Sequence, residues 1–143
     1  MKKKMNYKIV ARYIKDLNFK IPNPKTFFLL EKNISNYKIN IDIKSHQFKD
    51  KIIDVQTTLS LNSENEESEK IYTKIIYSTI IEIDGELKDK KSLEEIILIK
   101  VPNTIYPEIR SLFVLLFEKS GFKKINIEEK IDFKKLYLRK FTQ

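Results

Sequence analysis

Val101-Pro102-Asn103-Thr104-Ile105-Tyr106-Pro107-Glu108-Ile109-Arg110-Ser111-Leu112-Phe113-Val114-Leu115-Leu116-Phe117 decides the fold. The prolines favour a helix start: Pro102 disfavours helical geometry at Val101, and with Thr104 as N-cap Pro107 falls in the first turn, where a missing amide costs little. Ile105, Ile109, Leu112, Phe113, Leu116 and Phe117 then form one stripe, which Val114 and Leu115 widen almost to the full circumference. Such a helix cannot face water on any side. A chain of 143 residues has little material with which to cover it all round. The six stripe residues are therefore the expected oligomer interface, and Gly121 is placed to end the helix in the left-handed conformation.

Before this helix the pattern has period two. Tyr7, Ile9, Ala11, Tyr13, Lys15, Leu17, Phe19 and Ile21, apolar but for Lys15, alternate with mostly polar residues and predict a first strand, ended by Pro22-Asn23-Pro24. A long irregular connection is expected next. Tyr37, Ile39, Ile41 and Ile43 mark a second strand, and Ile53, Val55, Thr57, Leu59 and Leu61 a third. The acidic, wholly polar run from Asn62 to Glu69 reads as a solvated hairpin loop. Ile71 to Ile83 is the fourth strand, closed by Asp84-Gly85. Its second face is also apolar at Ile76 and Ile80, which predicts local cover on both sides.

Ser92-Leu93-Glu94-Glu95 has the spacing of a capping box and predicts a short helix that breaks before Pro102. At the other end Asp132 is a candidate N-cap for an amphipathic helix carrying Phe133, Leu136, Tyr137 and Phe141 on one side. Strands followed by helices make the fold class α+β: a four-stranded antiparallel sheet with helices on one side, in a single domain spanning 1–143.

Composition bounds the chemistry. There is no Cys, and the lone histidine, His46, reads as a surface residue, so neither a thiolate metal site nor a histidine-based nucleophile pair is available. With Gly85 and Gly121 as the only glycines, no phosphate-cradling loop or dinucleotide fingerprint exists. No cofactor, metal or catalytic constellation is expected, and the chain reads as no enzyme. Lys8, Arg12 and Lys15 interrupt any signal peptide after Met1-Lys2-Lys3-Lys4, and no apolar run is long enough to insert in a membrane, so a cytoplasmic protein is expected.

The net charge of +8 raises a nucleic-acid partner, yet only Arg12, Arg110 and Arg139 among 28 basic residues are arginines, and the lysines are spread along the chain. That distribution argues for a solvated surface. A basic nucleic-acid or ribosome-surface module remains the rival reading, to be recognised by steep salt dependence.

Three segments in order resemble the SecB family of protein-export chaperones: Tyr13 through Pro24, an opening strand running into a Pro-Asn turn; Pro102 through Arg110; and Ser120-Gly121-Phe122 through Ile131-Asp132-Phe133. The resemblance implies an ATP-independent holdase, a homotetramer built as a dimer of dimers around the long helices, that keeps precursor proteins unfolded and passes them to SecA. It implies client binding at Phe27, Phe28, Leu29 and Leu30 in the connection after strand one, and at Ile125, Ile127, Phe133, Leu136 and Tyr137 near the last helix. By the same resemblance the SecA-facing positions are Asp16, Lys20 and Lys74. The family is acidic there, and only Asp16 keeps its sign; two reversals facing a cationic partner oppose encounter. The sequence therefore leaves open a general export chaperone and a SecB-like chaperone serving one client, such as an antitoxin.

Overall fold

A computed structural model describes residues 5–33, 37–63, 72–85, 89–122, 125 and 127–142. Four strands, β1 (Asn6–Lys20), β2 (Tyr37–Lys49), β3 (Ile52–Ser63) and β4 (Tyr72–Asp84), pair antiparallel in the order β1-β4-β3-β2. The helices α1 (Pro24–Asn33), α2 (Lys90–Glu95), α3 (Val101–Lys119) and α4 (Phe133–Thr142) complete the order. Most of the acidic run, at 64–69, lies outside the described residues. Among those described, no helix is long and apolar enough to cross a membrane.

The core forms between the sheet and α3. The odd residues of β3 and β4, including Ile53, Val55, Leu59, Ile75, Ile81 and Ile83, are buried against Ile105, Ile109, Phe113 and Phe117 of α3, with Ile96, Leu30 and Phe122 closing the ends. The period-two pattern places these strand residues on one face, as expected.

β1 departs from a single alternation. Register shifts between Ile9 and Ala11 and between Ile14 and Asp16 each insert an extra residue. Tyr7 and Ile9 therefore face the helices opposite Ile83 and Ile81, Ala11 and Tyr13 turn to the other face opposite Ile80 and Ser78, and Leu17 and Phe19 return to the helix side. The bulges reset the phase, so the odd positions do not form one apolar face.

The connection after β1 is a helix. Asn23 caps it, its Oδ1 accepting from the Thr26 amide at 2.8 Å, and Pro24 occupies the first helical position. Pro22 ends the strand, whereas the same Pro-Asn-Pro run starts α1.

The helix before Pro102 does not break either. A π segment, Ile96–Lys100, joins α2 to α3 without interruption, and Val101 is right-handed helical at φ −65° and ψ −51°. The Val101 amide donates to the Ile96 carbonyl five residues back, and Pro102 then stands at the start of the resumed α-ladder, where its absent N–H is least missed. Asp89, not Ser92, caps α2, its Oδ1 accepting from the Lys91 and Ser92 amides at 3.2 and 3.3 Å. Thr104 is an interior residue whose hydroxyl donates to the Lys100 carbonyl at 3.0 Å. Gly121, at φ +97°, ends α3 as expected.

Candidate functional site

The predicted apolar segments separate into two surfaces. On α1, Leu30 is wholly buried, Phe27 and Leu29 are half-buried and Phe28 is 64% exposed. The ring of Phe27 lies 4.8 Å from that of Phe122, which continues to Phe117 at 5.5 Å and Phe19 at 5.1 Å. An aromatic chain thus anchors α1 to the core and leaves Phe28 outside. A Cβ at Gly121 would sit 3.5 Å from the Phe27 ring, so this end of α3 approaches α1 closely.

The second surface is a groove of about 290 Å³ lined by Ile41, Asp42, Ile43, Leu98, Phe133, Leu136 and Tyr137. It opens between the edge strand β2, the π segment and α4. Phe133, Leu136 and Tyr137 are the residues expected here; Ile41, Asp42, Ile43 and Leu98 are not. Nothing in the sequence states that β2 is an edge strand, so its apolar residues read simply as core. Ile127 is buried and Ile125 half-buried within the segment leading to α4.

The proline-aromatic-arginine stretch does not line this groove but fixes the segment that leads to its α4 wall. The Tyr106 hydroxyl donates to the Glu128 carbonyl, and Arg110 Nε, one turn on, donates to the Ile127 carbonyl at 3.1 Å. Together they pin the segment before α4 to α3. Asp132 then caps α4, its Oδ1 accepting from the Lys135 amide at 3.0 Å, and Phe133 packs at 6.0 Å from the Tyr106 ring. At the far side the Tyr137 hydroxyl donates to Glu94 of α2 at 2.8 Å.

These phenols are held protonated. Burial pushes the Tyr106 pKa up. The Glu94 hydrogen bond raises that of Tyr137, burial adding to it. Tyr77 is raised by burial and by donating to Glu108 Oε2 at 3.0 Å, while Arg12 meets Glu108 Oε1 at 2.9 Å.

The expected interface stripe divides. Ile105, Ile109, Phe113 and Phe117 are at most 1% exposed, spent inside the subunit's own core. Leu112 and Leu116 are half-buried and Leu115 is 45% exposed, so these three are the part of the stripe another chain can reach. Glu108, Leu112 and Leu115 share one side of α3. The Arg12 ion pair turns that side toward β1, where Ile14 and Leu17 are also exposed.

The sheet face opposite the helices reads in rows across β1, β4 and β3: Lys20 beside Tyr72; Asn18, Lys74 and Ser60; Asp16, Ile76 and Thr58; Tyr13, Ser78 and Gln56; Ala11, Ile80 and Asp54. Asp16, Lys20 and Lys74 thus share this face. Ile76 and Ile80 are half-buried there. Asp54 is buried, accepting from Ser78 at 2.6 Å and Gln56 at 3.0 Å, with the exposed His46 3.9 Å away.

Residues 1–143 match the protein family described as "Preprotein translocase subunit SecB". The chain is 42% identical over 132 residues to a putative protein-export protein SecB of Pelagibacter ubique, covering 92% of this chain and 94% of that protein. It is 22% identical over 135 residues to the protein-export protein SecB of Mesorhizobium japonicum, covering 94% and 79%. In structure it is similar, at a TM-score of 0.61 and 11% identity, to the SecB-like chaperone Rv1957 of Mycobacterium tuberculosis, solved in complex with a ChAD peptide from the HigA1 antitoxin. That likeness covers 85% of this chain and 89% of the other.

Proposed function

The chain belongs to the SecB family of protein-export chaperones, and from that premise we propose that it is an ATP-independent holdase of the cytoplasm that keeps precursor proteins unfolded for export. The observation that carries this reading is apolar surface open to solvent: the groove between β2 and α4, with Leu136 41% exposed, and Phe28 on α1, 64% exposed. Exposed apolar clefts on a rigid frame take hydrophobic stretches of an unfolded chain. Several weak contacts along one client supply avidity without sequence specificity.

The working form is a homotetramer arranged as a dimer of dimers, in which Leu112, Leu115 and Leu116 meet a second copy. Delivery to SecA would involve the sheet face of Asp16, Lys20 and Lys74. The likeness to proteins named for export favours a general export role over service to a single antitoxin, because the antitoxin-bound relative shares the fold at low identity.

The test is suppression of aggregation of a chemically unfolded client in the absence of ATP. Wild type is expected to suppress it near stoichiometry, and Phe28→Ser with Leu136→Ser to weaken suppression severalfold while leaving the folded content by circular dichroism unchanged. Equal suppression by the double variant would refute the groove.

A further inference from the structure

The winding between α2 and α3 decides which side chain faces the groove. Carried back from α3 at α periodicity, the buried stripe passes through Leu98, which lies three positions before Val101, four before Pro102 and seven before Ile105, and then through Glu94, four before Leu98. Ile96, five before Val101, would fall well off that stripe. The structure has the reverse. Ile96 is 1% exposed and Ile97 8%, whereas Leu98 is half-buried and lines the groove beside Ile41, Ile43, Phe133 and Leu136. The cause is the π winding of Ile96–Lys100, in which the Val101 amide donates to the Ile96 carbonyl and so puts Ile96 on Val101's side of the helix. Pro102 favours that winding. In an α-ladder it would leave the Leu98 carbonyl without its donor and press its ring against that carbonyl. The same step turns Glu94 off the stripe, where it accepts from the Tyr137 hydroxyl at 2.8 Å.

We propose, on the reading of this groove as the client site, that Leu98 determines its specificity by setting the size of apolar side chain the groove accepts, and that the π segment is what positions Leu98 there. Leu98 is the lining residue that the π segment supplies, between walls from β2 and α4. Those walls are held independently of it. Ile41 and Ile43 are fixed by the β2–β3 register, and α4 by the Tyr106 and Arg110 hydrogen bonds to the segment before it. The volume of the side chain at 98 therefore sets the depth left for a client: a smaller one admits a larger apolar group, and a larger one excludes it. Ile96 is the counterpart that takes the core position Leu98 vacates.

Two measurements on the full chain test this. Urea midpoints read the helix phase without any client: Ile96→Ala is expected to lower the midpoint well beyond Leu98→Ala, an order that α winding would reverse. Fluorescence anisotropy of two labelled unstructured peptides of one length, Leu-rich and Trp-rich, reads the groove. Leu98→Ala is expected to shift the ratio of the two affinities about tenfold toward the Trp-rich peptide, and Leu98→Phe to shift it as far toward the Leu-rich one. A ratio that is the same in wild type and both variants overturns the proposal while leaving client capture in place. So does a midpoint lower in Leu98→Ala than in Ile96→Ala. Wild type that binds neither peptide overturns the holdase reading, and this proposal with it.

Discussion

Thr79 is the residue whose environment is most at odds with its chemistry. It is wholly buried on the helix side of β4, and its hydroxyl has no hydrogen-bond partner among the described residues. Thr57, diagonal to it across the β3–β4 pair, and Thr73 share that condition. A buried hydroxyl with no partner carries a desolvation penalty of about 1–3 kcal/mol, whereas valine has the same shape and none. Thr79→Val is therefore expected to raise the unfolding free energy by about 1 kcal/mol, seen as a higher urea midpoint at unchanged slope. A lower midpoint would show that the hydroxyl has a partner of its own. Nothing in the strand pattern warns of this, because threonine at a strand position fits the period of two as well as valine does. Asp132 and Gly121 were legible for the opposite reason: a cap and a left-handed terminator are local chemistry, complete within four residues.

At the scale of elements, the family-like motif acts as a staple. Tyr106 and Arg110 lie one turn apart on α3 and bind consecutive carbonyls, those of Glu128 and Ile127, which fixes the segment that delivers α4 to the groove. The raised pKa of Tyr106 means that the fold holds the neutral phenol. Its contribution to stability is thus complete below the unfolded tyrosine value of about 10 and is lost as pH rises through the higher folded value. Wild-type stability is expected to decline in that alkaline window. Tyr106→Phe should lose about 1 kcal/mol at neutral pH and show a shallower alkaline decline, with Tyr77 and Tyr137 supplying what slope remains. Urea titrations at neutral and alkaline pH measure both quantities, and an unchanged slope would remove Tyr106 from the account. The elements themselves were unequally readable. Alternation located β2, β3 and β4, but β1 changes face twice at its bulges, and the continuous path from α2 through the π segment into α3 defeats the rule that helices end before proline. Asn23-Pro24 carried a helix-start signal that the strand-ending reading of Pro22 obscured.

For the whole molecule, the proposed tetramer raises the question of which side of α3 closes the subunit's own core and which side is left for a second copy. Composition alone showed a helix too apolar for water and could not divide it, because the division depends on where the sheet lies. Ile105, Ile109, Phe113 and Phe117 meet the sheet, so Phe113→Ala is expected to remove about 3–5 kcal/mol of stability and unfold the chain at lower urea whatever its oligomeric state. Leu115 stands 45% exposed on the side that looks toward Ile14 and Leu17 of β1. A lysine there keeps its charge in water in an isolated subunit, but in an assembly packed on this side it places an unpaired ammonium against apolar atoms, which costs several kcal/mol. Leu115→Lys is accordingly expected to leave secondary structure and the urea slope of the subunit intact while shifting the mass by light scattering from that of the proposed tetramer to a smaller species. The two variants separate the roles, since one weakens the subunit and the other the contact between copies. A tetramer that persists in Leu115→Lys would move the interface off this side of α3, and a monomeric wild type at micromolar concentration would end the tetramer proposal altogether.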